Sequence, residues 1–151
     1  QLEYQGVLAV FLGYYFKWDV ELTRNVAKAH GFKENSSGAR TGIYDYADID
    51  DDFISIHHYL KWYKYGCTRS FDNLSLEIRN GRCTRLEAIE IVREQGDCLP
   101  KDDIQQFCKF VSIDQDEFYV IIESFRNLDI WYRDGNNWKI RDFLLDDWDW
   151  H

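Results

Sequence analysis

The first strongly patterned stretch is residues 7–12, VLAVFL, a continuous apolar run rich in β-branched and aromatic side chains. An uninterrupted run of this kind predicts a strand of a parallel sheet, buried on both faces. It leads into GYYFKWD, where Asp19 is placed to cap a helix ending near residue 30, with Gly31 as its stop. Strand, aromatic turn and helix make a βα unit. Ligands in open α/β sheets collect at the carboxyl ends of strands, so Tyr14, Tyr15, Trp18 and Asp19 are candidates to line a site. The competing reading is that these rings only close the sheet edge.

Residues 33–49 are polar, hold two glycines and predict a loop. A loop of that length is either a lid or binding loop, or is disordered. Residues 50–65 predict a helix with Asp50, Asp51 and Asp52 in its first turn, where the helix dipole favours negative charge. Consecutive helical residues diverge by about 100°, so capping is preferred to a metal site for these aspartates. Phe53, Ile56, His57, Leu60 and Lys64 share one face, and Ile54, His58, Trp62 and Tyr65 cover much of another. A helix apolar over so much of its circumference belongs at the centre of a fold. His57 and His58 diverge and cannot chelate one ion together. Either could exchange protons near neutrality, but a hydrogen-bonded core imidazole is the preferred reading of both.

Residues 70–80 read as a helix stopped by Gly81, with Arg79 and Arg82 near its carboxyl end. Thr84 and Glu87 form a capping box for a helix to about residue 95, ended by Gly96. Pro100 opens a short helix over 101–110. Asp114 and Glu117 repeat the capping pattern for a helix to about residue 127, with Phe118, Ile121, Ile122 and Phe125 inward. Alternation on both sides of Asp134-Gly135-Asn136-Asn137 predicts a β-hairpin. The acidic, aromatic tail is expected to pack by its rings or stay mobile. This punctuation divides the chain into residues 1–96 and a helical satellite, 97–151. Three helices and a hairpin sketch a winged-helix order, but acidic residues in the satellite outnumber basic ones about two to one. That sign is wrong for phosphate contacts and favours docking.

Charge adds one feature to this pattern. The chain carries a net −9, yet residues 61–85 hold Lys61, Lys64, Arg69, Arg79, Arg82 and Arg85 against only Asp72 and Glu77. A basic island in an acidic protein either receives an anionic ligand or pairs with nearby carboxylates. The overall charge excludes general affinity for nucleic acid. No apolar run approaches the roughly 20 residues of a membrane helix, and no signal peptide is apparent, so a soluble cytoplasmic protein is expected. With six Trp, ten Tyr and ten Phe, the core should be rich in rings suited to packing and to stacking on a sugar or base. Cys67, Cys83, Cys98 and Cys108 lack metal or disulfide spacing and read as buried free thiols. The chain begins with Gln and has no Met, which suggests a portion of a longer protein.

The order YYFKWD, GIYDYADIDDD, HHYLKWYKYGCTR and SLEIRNGRCTRLEAIEIV resembles the carboxyl-terminal part of the N-acetyl sugar amidotransferases of bacterial surface-polysaccharide synthesis. The likeness spans about residues 13–138 and is densest over 57–92. It implies an α/β fragment, mostly helical: the last strand of a doubly wound PP-loop-type sheet, a helical region and a small hairpin. That family's Ser-Gly-Gly-x-Asp-Ser phosphate loop is absent from this sequence. The resemblance implies that ATP with Mg2+, held mainly outside these residues, adenylates the acetamido oxygen of a sugar and releases pyrophosphate. Ammonia from a separate glutaminase subunit then displaces AMP to leave an acetamidino group.

By the same resemblance, Arg69, Glu77, Arg79 and Arg85 lie at or beside the site, with Lys64 a weaker member. Tyr14, Trp18 and Asp19 would face nucleotide or sugar, and Tyr44 and Tyr46 sit in the loop that could close over it. A nucleotide-linked or acidic N-acetyl sugar suits forked guanidinium donors. Asp52 stands where that family has Lys, and YGCTRS replaces a turn richer in Gly and Phe, which leaves the sugar open. The alternative is a non-catalytic helical module that docks a partner protein. A tRNA thiolase of the same fold is disfavoured by the charge and the lack of paired catalytic cysteines.

Overall fold

The computed structural model describes residues 6–150. They divide into two compact units, the first ending at Lys33 and the second beginning at Glu34.

The first unit holds a short helix α1 (Leu12–Tyr15) and the helix α2 (Val20–Ala29). The predicted cap is present, with Asp19 Oδ1 accepting the Glu21 amide at 3.0 Å. The predicted strand is not: residues 7–11 adopt no regular structure and Leu12 already begins α1. A strand exists only through lateral pairing, and the sheet among the described residues is a single two-stranded hairpin far along the chain. Leu8 and Phe11 are accordingly 83% and 90% exposed.

The second unit begins with the predicted loop and is then helical: α3 (Ile54–Tyr65), α4 (Arg69–Arg79), α5 (Arg85–Gln95), α6 (Lys101–Val111) and α7 (Gln115–Glu123), followed by β1 (Trp131–Asp134) and β2 (Asn137–Ile140). Helix α3 is central, burying Ser55, Ile56, Tyr59, Trp62 and Tyr63 and packing against α6 and α7. It starts later than expected. Asp51 Oδ1 accepts the Phe53 amide at 2.7 Å, so the aspartates shape the approach to the helix instead of its first turn. Short acidic side chains compete for local backbone amides in this way. His57 is exposed and His58 half-buried.

Gly66 ends α3 at φ +64°, and a Cβ there would stand 2.7 Å from Ile140 Cδ1. Only glycine fits both demands. Helix α5 carries the predicted capping box in full, with Thr84 and Glu87 each bonding the other's backbone amide. Helix α7 stops at Glu123, short of the expected residue 127. Ser124 Oγ donates to the Ile121 carbonyl at 2.6 Å and the chain turns, its Asn127 amide reaching the Tyr63 carbonyl at 3.1 Å. Phe118 and Ile122 are buried as expected, whereas Ile121 and Phe125 face outward.

In the hairpin, Trp131 pairs with Ile140 and Asp134 with Asn137. Gly135 opens its two-residue turn at positive φ, as a type II′ turn requires. The tail packs by its rings: Trp148 is buried, and Trp150 stacks on Trp62 at 6.5 Å. A single core cluster runs from α3 through α7 to the tail, and position 96 lies inside the second unit. The four cysteines are free, but only Cys108 is buried and Cys98 is exposed. The thiols therefore do not share the burial that composition suggested, because Cys98 sits in the turn before α6 at φ +57°. Among the described residues no helix is long and apolar enough to cross a membrane.

Candidate functional site

A polar loop, a central helix and two helix starts meet around a cleft of about 530 Å3 in the second unit. The loop brings Arg40, Thr41 and Gly42 to it. Helix α3 brings Ser55, His58 and Tyr59; Thr68 and Arg69 come from the start of α4; and the turn from Asp97 into α6 closes the other side. The volume suits a small molecule, for which sites of roughly 300–1,000 Å3 are usual.

The loop is pinned by specific contacts. Gly42 has φ +59°, and a Cβ on it would fall 2.0 Å from Asn73 Oδ1. That close approach lets Asn73 Oδ1 accept the Ile43 amide at 3.2 Å. Asp48 also lies in the left-handed region, at φ +56°, which aspartate tolerates better than most residues. Its Oδ2 accepts from Thr41 Oγ1 at 2.5 Å and from Arg69 Nε at 3.2 Å. Burial alone would raise the Asp48 carboxyl, but the Thr41 hydroxyl and the Arg69 charge outweigh it and hold it below the usual range.

His58 Nε2 lies 3.4 Å from the same Asp48 oxygen, yet without hydrogen-bond alignment. Both ring nitrogens are buried and lack a hydrogen-bond partner, as does Thr68 Oγ1. Buried polar atoms are nearly always satisfied, so three exceptions, on two side chains lining one cleft, mark it as a place where a ligand or water completes the bonding. Burial first, and the Arg69 charge second, lower the His58 pKa and favour neutral imidazole. The expectation of a hydrogen-bonded core imidazole is thus not met at His58. The loop sets Arg69, not the histidine, in line with the carboxylate.

Charge in the cleft is balanced. Arg40 Nη1 lies 3.8 Å from Asp52 Oδ1 and Arg40 Nη2 3.6 Å from Asp103 Oδ1, while Ser55 Oγ donates to Asp103. Arg69 also reaches Asp72 at 3.7 Å, and Lys61 pairs with Asp72. Much of the basic island is therefore neutralised within the protein.

The residues expected from sequence are distributed as follows. Arg69 lines the cleft. Tyr44 is buried behind it, stacked on Tyr46 at 4.9 Å, and its hydroxyl donates to Glu77 Oε1 at 2.5 Å. Burial and that bond raise the Tyr44 pKa. Glu77 is gripped by Arg82 through bonds of 2.6 and 2.9 Å. Arg79 Nε donates to the Ser75 carbonyl on its own helix at 3.1 Å. Lys64 lies 4.8 Å over the Phe125 ring. Arg85 borders a small groove with Ile78 and Leu144. Tyr14, Trp18 and Asp19 belong to the first unit, where Tyr14 meets Tyr15 edge to face at 5.2 Å and Asp19 caps α2.

Sequence reasoning missed Arg40, Asp48, Ser55 and Asp103. Arg40 is the one arginine of a polar loop, and only that could have drawn notice to it. Asp48 precedes three further acids, and its role depends on a backbone conformation no local motif announces.

A family model described as "LPS biosynthesis protein WbpG-like, C-terminal domain" matches residues 38–144, a span that contains every residue lining this cleft. No curated protein matches the chain.

Proposed function

The chain belongs to the family of WbpG-like C-terminal domains of lipopolysaccharide biosynthesis proteins, and from that premise we propose that it is the carboxyl-terminal part of an ATP-dependent N-acetyl sugar amidotransferase. The reaction converts a sugar acetamido group to acetamidino during O-antigen synthesis. The cleft's part is to hold the sugar. The observation that carries this reading is the chemistry of the cleft: Arg40 and Arg69 offer forked donors, Asp102 and Asp103 offer acceptors, and the His58 and Thr68 polar atoms await partners. A polyhydroxylated ligand with a pyrophosphate or carboxylate uses both kinds of group.

This reading places ATP with Mg2+ outside the cleft. The sequence has no Gly-rich phosphate loop, and no group of three His, Cys, Asp or Glu side chains among the described residues could hold a metal ion. Nucleotide binding is assigned to residues outside this sequence, and ammonia to a separate glutaminase. Arg69 acts by exchanging its Asp48 and Asp72 contacts for the ligand's anionic oxygens, with no change in its own charge.

The test is pyrophosphate release by the full-length protein, dependent on an N-acetylated nucleotide sugar or acidic N-acetyl sugar. Arg69→Ala and Arg40→Ala should each reduce sugar-dependent release at least tenfold while the thermal midpoint is retained. Wild-type rates in both variants would remove the cleft from the reaction.

A second reading, a docking module for a partner protein, draws on Leu86, Phe110, Val120 and Leu128, each more than 70% exposed in the second unit. Full-length protein that binds a partner but releases no pyrophosphate with any such sugar would favour it.

A further inference from the structure

Two arginines of the basic island take no part in the cleft. Arg79 ends α4 and Arg85 begins α5. Neither forms an ion pair among the described residues, whereas Arg82, between them, grips Glu77. Arg85 borders an apolar groove of about 120 Å3 whose walls include Ile78, Ile89 and Leu144, and the next residue, Leu86, is 76% exposed. The groove is too small for a drug-sized ligand and takes a side chain. Nearby carboxylates are spoken for: Glu87 caps its own helix and Glu90 pairs with Arg93. In a chain of net −9, this corner therefore sets uncompensated positive charge around exposed apolar side chains.

The converse surface lies on α7. Val120 is two residues from both Phe118 and Ile122, which are buried, so it projects from the opposite side of the helix and is 72% exposed. Ile121 beside it is 41% exposed. Asp116 stands four residues before Val120, and Glu117 four before Ile121, so both carboxylates flank the apolar pair. Both are exposed, and neither forms an ion pair among the described residues. A groove rimmed by arginine and a ridge rimmed by carboxylate are complementary in charge and in apolar character, and one chain carries both. Because each surface is exposed, the two do not cover one another within a single chain.

We propose that the α7 ridge of one copy docks against the α4–α5 groove of a second copy, with Glu117 facing Arg85. An anionic membrane is the competing partner for exposed arginines. Three of them fall short of the roughly four to eight basic residues of a lipid-binding cluster, and the net charge of the chain repels such a surface. The pairing uses no residue that lines the cleft and does not depend on the reaction assigned to it.

Sedimentation velocity of the full-length protein over about 1–100 μM should show a mass that rises with concentration, and the rise should shrink at high salt. Arg85→Glu and Glu117→Lys should each raise the dissociation constant at least tenfold. Leu86→Gln and Val120→Gln, both at exposed positions, should raise it at least threefold with the thermal midpoint unchanged. Arg85→Glu mixed with Glu117→Lys should associate again, because each variant supplies the charge that the other's altered surface requires. A mass independent of concentration, wild-type association in either charge variant, or no recovery in the mixture would each overturn the proposal. So would binding to phosphatidylglycerol vesicles that is lost in Arg85→Glu while the free protein stays monomeric, a result that would assign these arginines to a membrane surface.

Discussion

At the scale of single residues, the cleft is governed by how a few polar atoms are satisfied. Asp48 receives Thr41 and Arg69, while His58, 3.4 Å away, receives no hydrogen bond. The folded pKa of His58 lies below its ordinary value, chiefly through burial and next through Arg69, with Asp48 opposing and His57 and Lys61 adding to the shift. The unfolded chain therefore takes up the proton first. The stabilising contribution of neutral His58 is fully present above about pH 6.5 and is lost as pH falls below it. Asp48, also depressed, contributes above its unfolded value near 3.8 and loses that contribution only in stronger acid. Urea unfolding at pH 7 and pH 5 should show the wild type losing stability, and His58→Leu should lose measurably less. An identical pH dependence in the two proteins would mean that His58 titrates alike in both states. Asp48 shows why such a site was only partly legible. Its neighbours Tyr44 and Asp52 could be weighed from sequence, but the left-handed turn at Asp48 is set by contacts with α3 and α4.

At the scale of elements, the signals that survived are those whose partners are close in sequence. The Thr84–Glu87 capping box, the Asp19 and Asp114 caps and the hairpin turn at Gly135 each depend on residues two to four apart. The strand expected at residues 7–12 depends on a neighbouring strand, and apolar content alone cannot supply one. The central place of α3 was readable because an apolar circumference leaves few other positions for a helix. Which of its residues would be buried was not, since His57 and Tyr65 turned outward while Tyr59 and Tyr63 turned in. Trp62 is the hinge of that packing, meeting Trp131 edge to face at 5.0 Å and Trp148 at 5.4 Å. Trp62→Ala should cost about 3–5 kcal/mol in denaturant unfolding, as large-to-small changes of aromatic core residues do. A loss under about 1 kcal/mol would show that the rings repack to fill the space.

At the scale of the whole molecule, the core and the exposed surface are unevenly shared. Every member of the core cluster and every hydrophobic residue packed against it lies between Ile43 and Trp150. The described residues of the first unit contribute none, and Leu8, Phe11, Leu12 and Tyr14 are each more than two-thirds exposed. The family match, residues 38–144, falls within the second unit. If burial of apolar area is the main source of stability, the second unit carries nearly all of it. A chain beginning at Glu34 should then unfold cooperatively, with a thermal midpoint within a few degrees of that of the 151-residue chain. Its tryptophan emission should match after subtraction of Trp18, since the other five indoles lie in the second unit. A non-cooperative melt, or a midpoint lowered by ten degrees or more, would show that the first unit stabilises the second. Cooperative melting with an unchanged midpoint would assign residues 6–33 no part in that stability.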